Sequence, residues 1–167
     1  MIHAGSPIKA LIGNIIRFSS DRRASSAVEF AIVAAPFFYL LMGIAQVGIF
    51  YMAQSALDTG VSNTALALRA NFSTGSPATL LDSGALKSSV VNSAGAIISN
   101  DSSLSVEIRQ LTSLDSAMVP IVDGTVDYGS TTSTLVLRAQ SSVVTLAPGL
   151  GGLNTIYSSA LVRRQGT

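Results

Sequence analysis

Residues 30–53 read FAIVAAPFFYLLMGIAQVGIFYMA, an apolar run without a formal charge. A bilayer core about 30 Å thick takes about 20 apolar residues at 1.5 Å each, so this run predicts a membrane-spanning helix with some tilt. A core helix of a soluble protein seldom stays apolar on every face over such a length. Beyond it the pattern becomes one-sided. Ala56, Leu57, Gly60, Val61, Thr64, Leu68 and Phe72 recur at helical spacing and stop before Ser73-Thr74-Gly75-Ser76-Pro77. Span and continuation together predict one helix of ~70 Å from Ser25 to Asn71, half in the bilayer and half out. A second amphipathic helix is expected over Leu80, Leu81, Ala85, Leu86, Val90, Val91, Ala94, Ile97 and Ile98, begun by Thr79 or Asp82 and ended near Asn100.

The apolar period then shortens to two. Leu104, Val106, Ile108 and Leu111 alternate with polar residues, as do Leu135, Leu137 and Ala139, with Val143 and Leu146 extending that second strand. Tyr157-Ser158-Ser159-Ala160-Leu161-Val162 is the third strand candidate. Asp123-Gly124 and Tyr128-Gly129 mark turns, and Pro148-Gly149-Leu150-Gly151-Gly152 a flexible loop before the last strand. Helices followed by antiparallel strands predict an α+β fold. In it a single N-terminal transmembrane helix extends outward and packs, with the second helix, on a small antiparallel sheet.

Charge gives the span a direction. Residues 1–24 carry Lys9, Arg17, Arg22 and Arg23 against Asp21, whereas the first charges after the span are Asp58 and Arg69. Basic residues stay inside, so the N-terminus is expected in the cytoplasm and the chain after the span outside, in the periplasm of a bacterium. The formal net charge of +1 offers no field for nucleic acid. A cleaved secretory signal, cut after Ser55, is the competing reading of the apolar run, but such signals carry only about 7–15 apolar residues.

Catalytic candidates are few. The chain has no cysteine and one histidine, His3, which excludes thiolate zinc sites, disulfides and a Ser-His triad. Asp123 and Asp127 lack the ligand density of a calcium loop. Lys87 is read as a solvated charge rather than half of a Ser-Lys dyad, and Arg163 and Arg164 as a solvated tail. No cofactor and no enzymatic activity are expected.

The junction before the span is the richest part. Arg22-Arg23-Ala24-Ser25-Ser26-Ala27-Val28-Glu29-Phe30 places a lone carboxylate at the edge of the apolar run. A charged side chain costs up to about 3 kcal/mol at a helix centre in a membrane and less near the interface, so a retained one is a functional candidate. Pro36 removes a backbone hydrogen bond and crowds the Ile32 carbonyl, which predicts a kink between them. Ala27, Ala31 and Ala35 form a small-residue face on which another helix could pack. Ile8, Leu11, Ile12, Ile15 and Ile16 give an amphipathic pattern for a leader lying on the inner leaflet.

Arg-Arg-Ala-Ser-Ser-Ala-Val-Glu-Phe-Ala-Ile-Val-Ala-Ala-Pro, with the Phe/Leu-rich run and Gly43-Ile44-Ala45-Gln46-Val47-Gly48, resembles the N-terminus of TadE-like proteins, minor pseudopilins of the Tad/Flp branch of type IV pilus machinery. The resemblance covers residues 21–71, including Gln54-Ser55-Ala56-Leu57-Asp58. It implies that a prepilin peptidase cuts after Ala24, where the family usually has glycine. Ser25 would then be the new N-terminus, with Glu29 at its fifth position, and Phe30 the aromatic that follows the glutamate. The resemblance further implies other Tad/Flp pilins or pseudopilins and inner-membrane assembly proteins as partners, beside the lipid bilayer. The expected organisation is a basic cytoplasmic leader (1–24), a transmembrane segment (25–56) and an extracytoplasmic α+β domain (57–167). An unprocessed, membrane-anchored periplasmic binding or scaffold domain is the alternative.

Overall fold

The computed structural model of the chain describes residues 22–73, 82–95, 98, 103–113, 115, 118–130, 132–146, 149 and 151–164. The leader helix expected over residues 8–16 lies outside these. The described chain forms α1 (Arg22–Ser73), α2 (Ser83–Ala94), β1 (Ser105–Gln110), β2 (Thr134–Ser142) and β3 (Thr155–Arg163), with a 3-10 turn at Gly151–Leu153 before β3. The fold is α+β: one long apolar helix, a second helix and an antiparallel sheet in the order β1-β2-β3.

Contacts divide the chain into two compact units, Met1–Gly43 and Ile44–Thr167, with the boundary inside α1. In the first unit the described residues are exposed on nearly every face of the helix, among them Phe30, Ile32, Val33, Phe37, Phe38 and Leu40. Such a surface has no favourable place in water, and α1 is long and apolar enough to cross a membrane. Pro36 lies within the helix, which runs on through it.

In the second unit α1 becomes one-sided. Ala56, Leu57, Gly60, Val61, Thr64, Leu68 and Phe72 are buried, which is the stripe the sequence pattern predicts, and Ala53 and Ala65 are buried with them. Against it lie Leu86 and Val90 of α2 and one face of the sheet: Val106 and Ile108 of β1, Leu135, Leu137 and Ala139 of β2, Ile156 and Val162 of β3. In-facing residues alternate along each strand, so the register follows from which face must be dry.

Two boundaries differ from the sequence reading. α2 ends at Ala94 rather than near Asn100, because Gly95 takes φ 78° and its N–H turns back to the Val91 carbonyl. Ile98 is still buried, but from the connection rather than from the helix. β2 ends at Ser142, so Val143 and Leu146 do not continue that strand. The Val143 N–H donates to the Asn154 carbonyl, and the backbone at Leu146 is engaged by α1. The predicted turns at Asp123-Gly124 and Tyr128-Gly129 are present, with both glycines at positive φ.

Both edges of the sheet are covered, which protects unpaired strand backbone from pairing with other chains. Along β3, Gln54 Nε2 of α1 donates to the Tyr157 carbonyl at 2.7 Å and the Arg69 guanidinium donates to the Leu161 carbonyl. Along β1, the segment around Val126 forms a parallel bridge to Ile108. α1 and α2 pack closely at Gly60, where an added Cβ would stand 2.6 Å from the Val90 carbonyl oxygen. Gly60→Val should therefore destabilise the detergent-solubilised full chain by about 1–3 kcal/mol. Gly48→Ala, where a methyl group meets no neighbour, should leave its thermal midpoint unchanged. Circular dichroism melting of the two variants checks this.

Candidate functional site

The candidate processing and assembly site lies at the start of α1. Ser25, Glu29, Phe30 and Pro36 are all exposed. Helical spacing sets Ser25 and Glu29 one turn apart on one face, and the Ser25 hydroxyl donates to Glu29 Oε1 at 3.3 Å. The backbone of Ala24 is already helical, so the Ala24–Ser25 bond lies in the first turn of α1. Amides of a first turn lack intrahelical acceptors, which makes this the easiest part of the helix to open.

Further along α1 the sequence holds a polar residue whose role only the structure shows. Gln46 sits inside the apolar run yet is 0% exposed. Its Nε2 donates to the Val144 carbonyl at 3.1 Å, and its Oε1 accepts from the Leu146 N–H at 2.6 Å. One side-chain amide thus holds a carbonyl and an N–H of the segment after β2, in the manner of a strand neighbour. Gln46 figures in the sequence reading only as part of the resemblance. Its polarity within the run was the available signal, but its partners lie about a hundred residues away.

The second missed feature is a buried ion pair on the other face of the sheet. Glu107 of β1 and Arg138 of β2 are direct cross-strand partners, 0% and 7% exposed. Arg138 donates through Nε to Glu107 Oε1 at 2.7 Å and through Nη2 to the same oxygen. Glu107 Oε2 accepts from the Val122 N–H at 2.7 Å, and Arg138 Nη1 donates to the Val119 carbonyl at 2.7 Å. The pair therefore staples residues 119–122 over the sheet. Alternation had marked both residues as out-facing, but nothing in the sequence gave the segment that covers them.

The turn acids have local duties. Asp123 lies 2.6 Å from Lys87 Nζ and accepts from the Val106 N–H at 3.2 Å. Partial burial pushes the Asp123 carboxyl up, but the Lys87 hydrogen bond, the Val106 amide and the Lys87 charge outweigh it and hold the group below its ordinary value of 3.8. Asp127 accepts from the Gly129 N–H at 2.9 Å. Among the described residues no cluster of His, Cys, Asp or Glu is arranged to hold a metal ion. Burial pushes the Tyr128 phenol up. Its ring packs edge-on against Phe72, which also lies under Arg164, so Arg164 is an aromatic partner at the end of the core rather than a free tail.

Residues 24–66 match the family model of TadE-like protein, less than half of the chain, over the segment that carries the junction and the span. This is consistent with a TadE-like protein of the Tad/Flp system and supports a structural, Tad pilus-associated role. No curated protein and no solved structure matches the chain significantly.

Two predictions follow from the geometry. Glu107→Ala strands the Arg138 charge in a dry site and should cost about 3–5 kcal/mol in chemical denaturation, most of which Glu107→Leu with Arg138→Met should recover. The second concerns acid. A depressed Asp123 carboxyl contributes stability in full above the ordinary carboxylate range, and that contribution is lost as pH falls through the lowered value. About half of the side chain is exposed, so the effect stays under about 1 kcal/mol. Asp123→Asn should flatten the stability profile below about pH 4.

Proposed function

We propose, from the TadE-like segment at residues 24–66, that this chain is a TadE-like pseudopilin, a structural membrane protein taking part in Tad/Flp pilus assembly after prepilin-peptidase processing. The observation that carries the reading is the start of α1. A family match beginning at Ala24 coincides with an exposed apolar helix that has one carboxylate a turn beyond the expected cut. In this reading residues 1–24 form the cytoplasmic leader, residues 25–56 the segment in the inner membrane, and residues 57–167 the periplasmic domain. The basic excess before the span supports that direction.

Cutting Ala24–Ser25 frees an ammonium at Ser25. The Ser25 hydroxyl already meets Glu29, so the new charge arises close to the carboxylate. Before the cut Glu29 accepts from the Ser25 hydroxyl; after it, a full opposite charge stands close by, its own or that of a neighbouring subunit. The neighbour's amine sets register between subunits, and the aromatic ring of Phe30 flanks the same site. Pro36 frees the Ile32 carbonyl, which gives the helix a place to bend on assembly. The partners are the prepilin peptidase, other Tad/Flp pilins or pseudopilins, inner-membrane assembly proteins and the bilayer.

The alternative, an unprocessed membrane-anchored periplasmic binding or scaffold domain, has one observation in its favour. The bond to be cut is helical, and alanine rather than glycine at position 24 makes that turn about 1 kcal/mol harder to open. Intact mass of membrane-extracted protein separates the two readings. Ser25 should be the mature N-terminus in cells with the pilus-system peptidase, and Ala24→Gly should be cut at least as fast. A full-length chain in such cells would sink the processing. Glu29→Ala should still be cut yet fail to assemble; wild-type piliation in that variant would leave Glu29 without a role.

A further inference from the structure

The polar residue inside the apolar run has a consequence for where the exported domain sits. We infer that the segment after β2, held by Gln46, is a second membrane-contacting element, with Val144 and Leu146 seated in the outer edge of the lipid layer. The inference rests on the reading of α1 as a membrane span.

Helix length supplies the first argument. Glu29 marks the inner edge, since a carboxylate is costly further in. From Glu29 to Gln46 the helix rises only about 25 Å, and a hydrocarbon layer of ~30 Å extends about three residues past Gln46, to near Ile49. Tilt moves that limit further along the helix. Gln46 and the backbone it binds therefore lie at the depth of the outer apolar edge. Tyr51 is exposed just beyond, at the level where amphipathic aromatic rings collect.

Hydrogen bonding supplies the second. Irregular backbone at apolar depth must have its polar groups satisfied within the protein. Gln46 does this at both ends, taking the Leu146 N–H and giving to the Val144 carbonyl, and is itself fully buried. An ordinary surface loop in water has no need of a helix side chain to meet groups that water would meet.

Chemistry supplies the third. Val144 is 72% and Leu146 45% exposed, side by side on a segment whose backbone is fixed. No charged residue occurs anywhere from 139 to 162, so nothing in the connection resists the interface. Gln46 of the apolar run holds the backbone that carries Val144 and Leu146. The occupant that fits both is the acyl-chain region of the outer leaflet.

The absence of cysteine allows single nitroxide labels on the full chain, reconstituted in vesicles of phosphatidylethanolamine and phosphatidylglycerol. Labels at Val144→Cys and Leu146→Cys should collide with dissolved oxygen and lose most collision with a water-soluble nickel chelate. Phe38→Cys should do so more completely. Met118→Cys, in the groove that Asp58 also lines, should stay open to the chelate. A protected Phe38 label with chelate-accessible Val144 and Leu146 labels overturns this inference and leaves the span standing. A chelate-accessible Phe38 label overturns the span reading itself. Adding Gln46→Leu should return the Val144 label toward the Met118 value; an unchanged Val144 label would remove Gln46 as the clamp.

Discussion

One helix has to satisfy two solvents, and the rest of the structure depends on where it changes from one to the other. From Phe30 to Ala45, α1 is apolar and exposed on nearly every face. From Gln46 onward it has an inside and an outside. A helix turns 100° per residue, so Gln46, Ala53, Leu57, Val61, Leu68 and Phe72 face the domain together only at their present spacing. The sheet, α2 and the β3 edge bonds from Gln54 and Arg69 are all built on that one stripe. Within the second unit, the sheet and α2 are folded onto α1 itself.

The opposite face of the sheet follows a different logic. There Val136 is buried beside the Glu107–Arg138 pair, and the pair's remaining hydrogen-bonding atoms reach the backbone of residues 119–122. Buried ion pairs are weak contributors to net stability, because desolvation offsets most of the attraction. Their use here is positional. The pair fixes one cross-strand register between β1 and β2, and it holds Met118, Val119 and Val122 outward on a defined frame. The apolar face could slide by two residues and still be dry. The charged face could not.

What the sequence disclosed sorts by the distance over which the physics acts. The span, the stripe on α1, the turns at Gly124 and Gly129 and the alternation in all three strands depend on neighbours a few residues away, and each is legible as a period or a turn pair. The end of α2 at Gly95 was in principle visible too, but Ile97 and Ile98 continued the apolar pattern past it. Ile98 is buried without being helical, and a period cannot distinguish the two cases. The same ambiguity carried the second strand beyond Ser142. Gln46 with Val144 and Glu107 with Val122 were beyond reach for another reason. In both, a side chain meets backbone that any residue type could provide, so no composition signals the partner. The junction at Ala24 and Glu29 was legible as a pattern of charge and length, and the family match over residues 24–66 begins at the same place.

On the proposed reading, the two ends of the membrane segment would impose linked conditions on assembly. A subunit entering a fibre would give up lipid around residues 28–45, and neighbouring helices would replace it while the Ser25 amine and Glu29 set their register. If Val144 and Leu146 are also seated in lipid, helix packing alone leaves them facing water, at about 1.5–3 kcal/mol for each such side chain fully exposed. A fibre subunit must therefore present a second apolar surface at the height of Gln46 to cover its neighbour's loop. A subunit that stays in the basal machinery has no such requirement. The β2–β3 connection, rather than the shared junction, is then the part of this chain that separates a fibre component from a membrane-resident one.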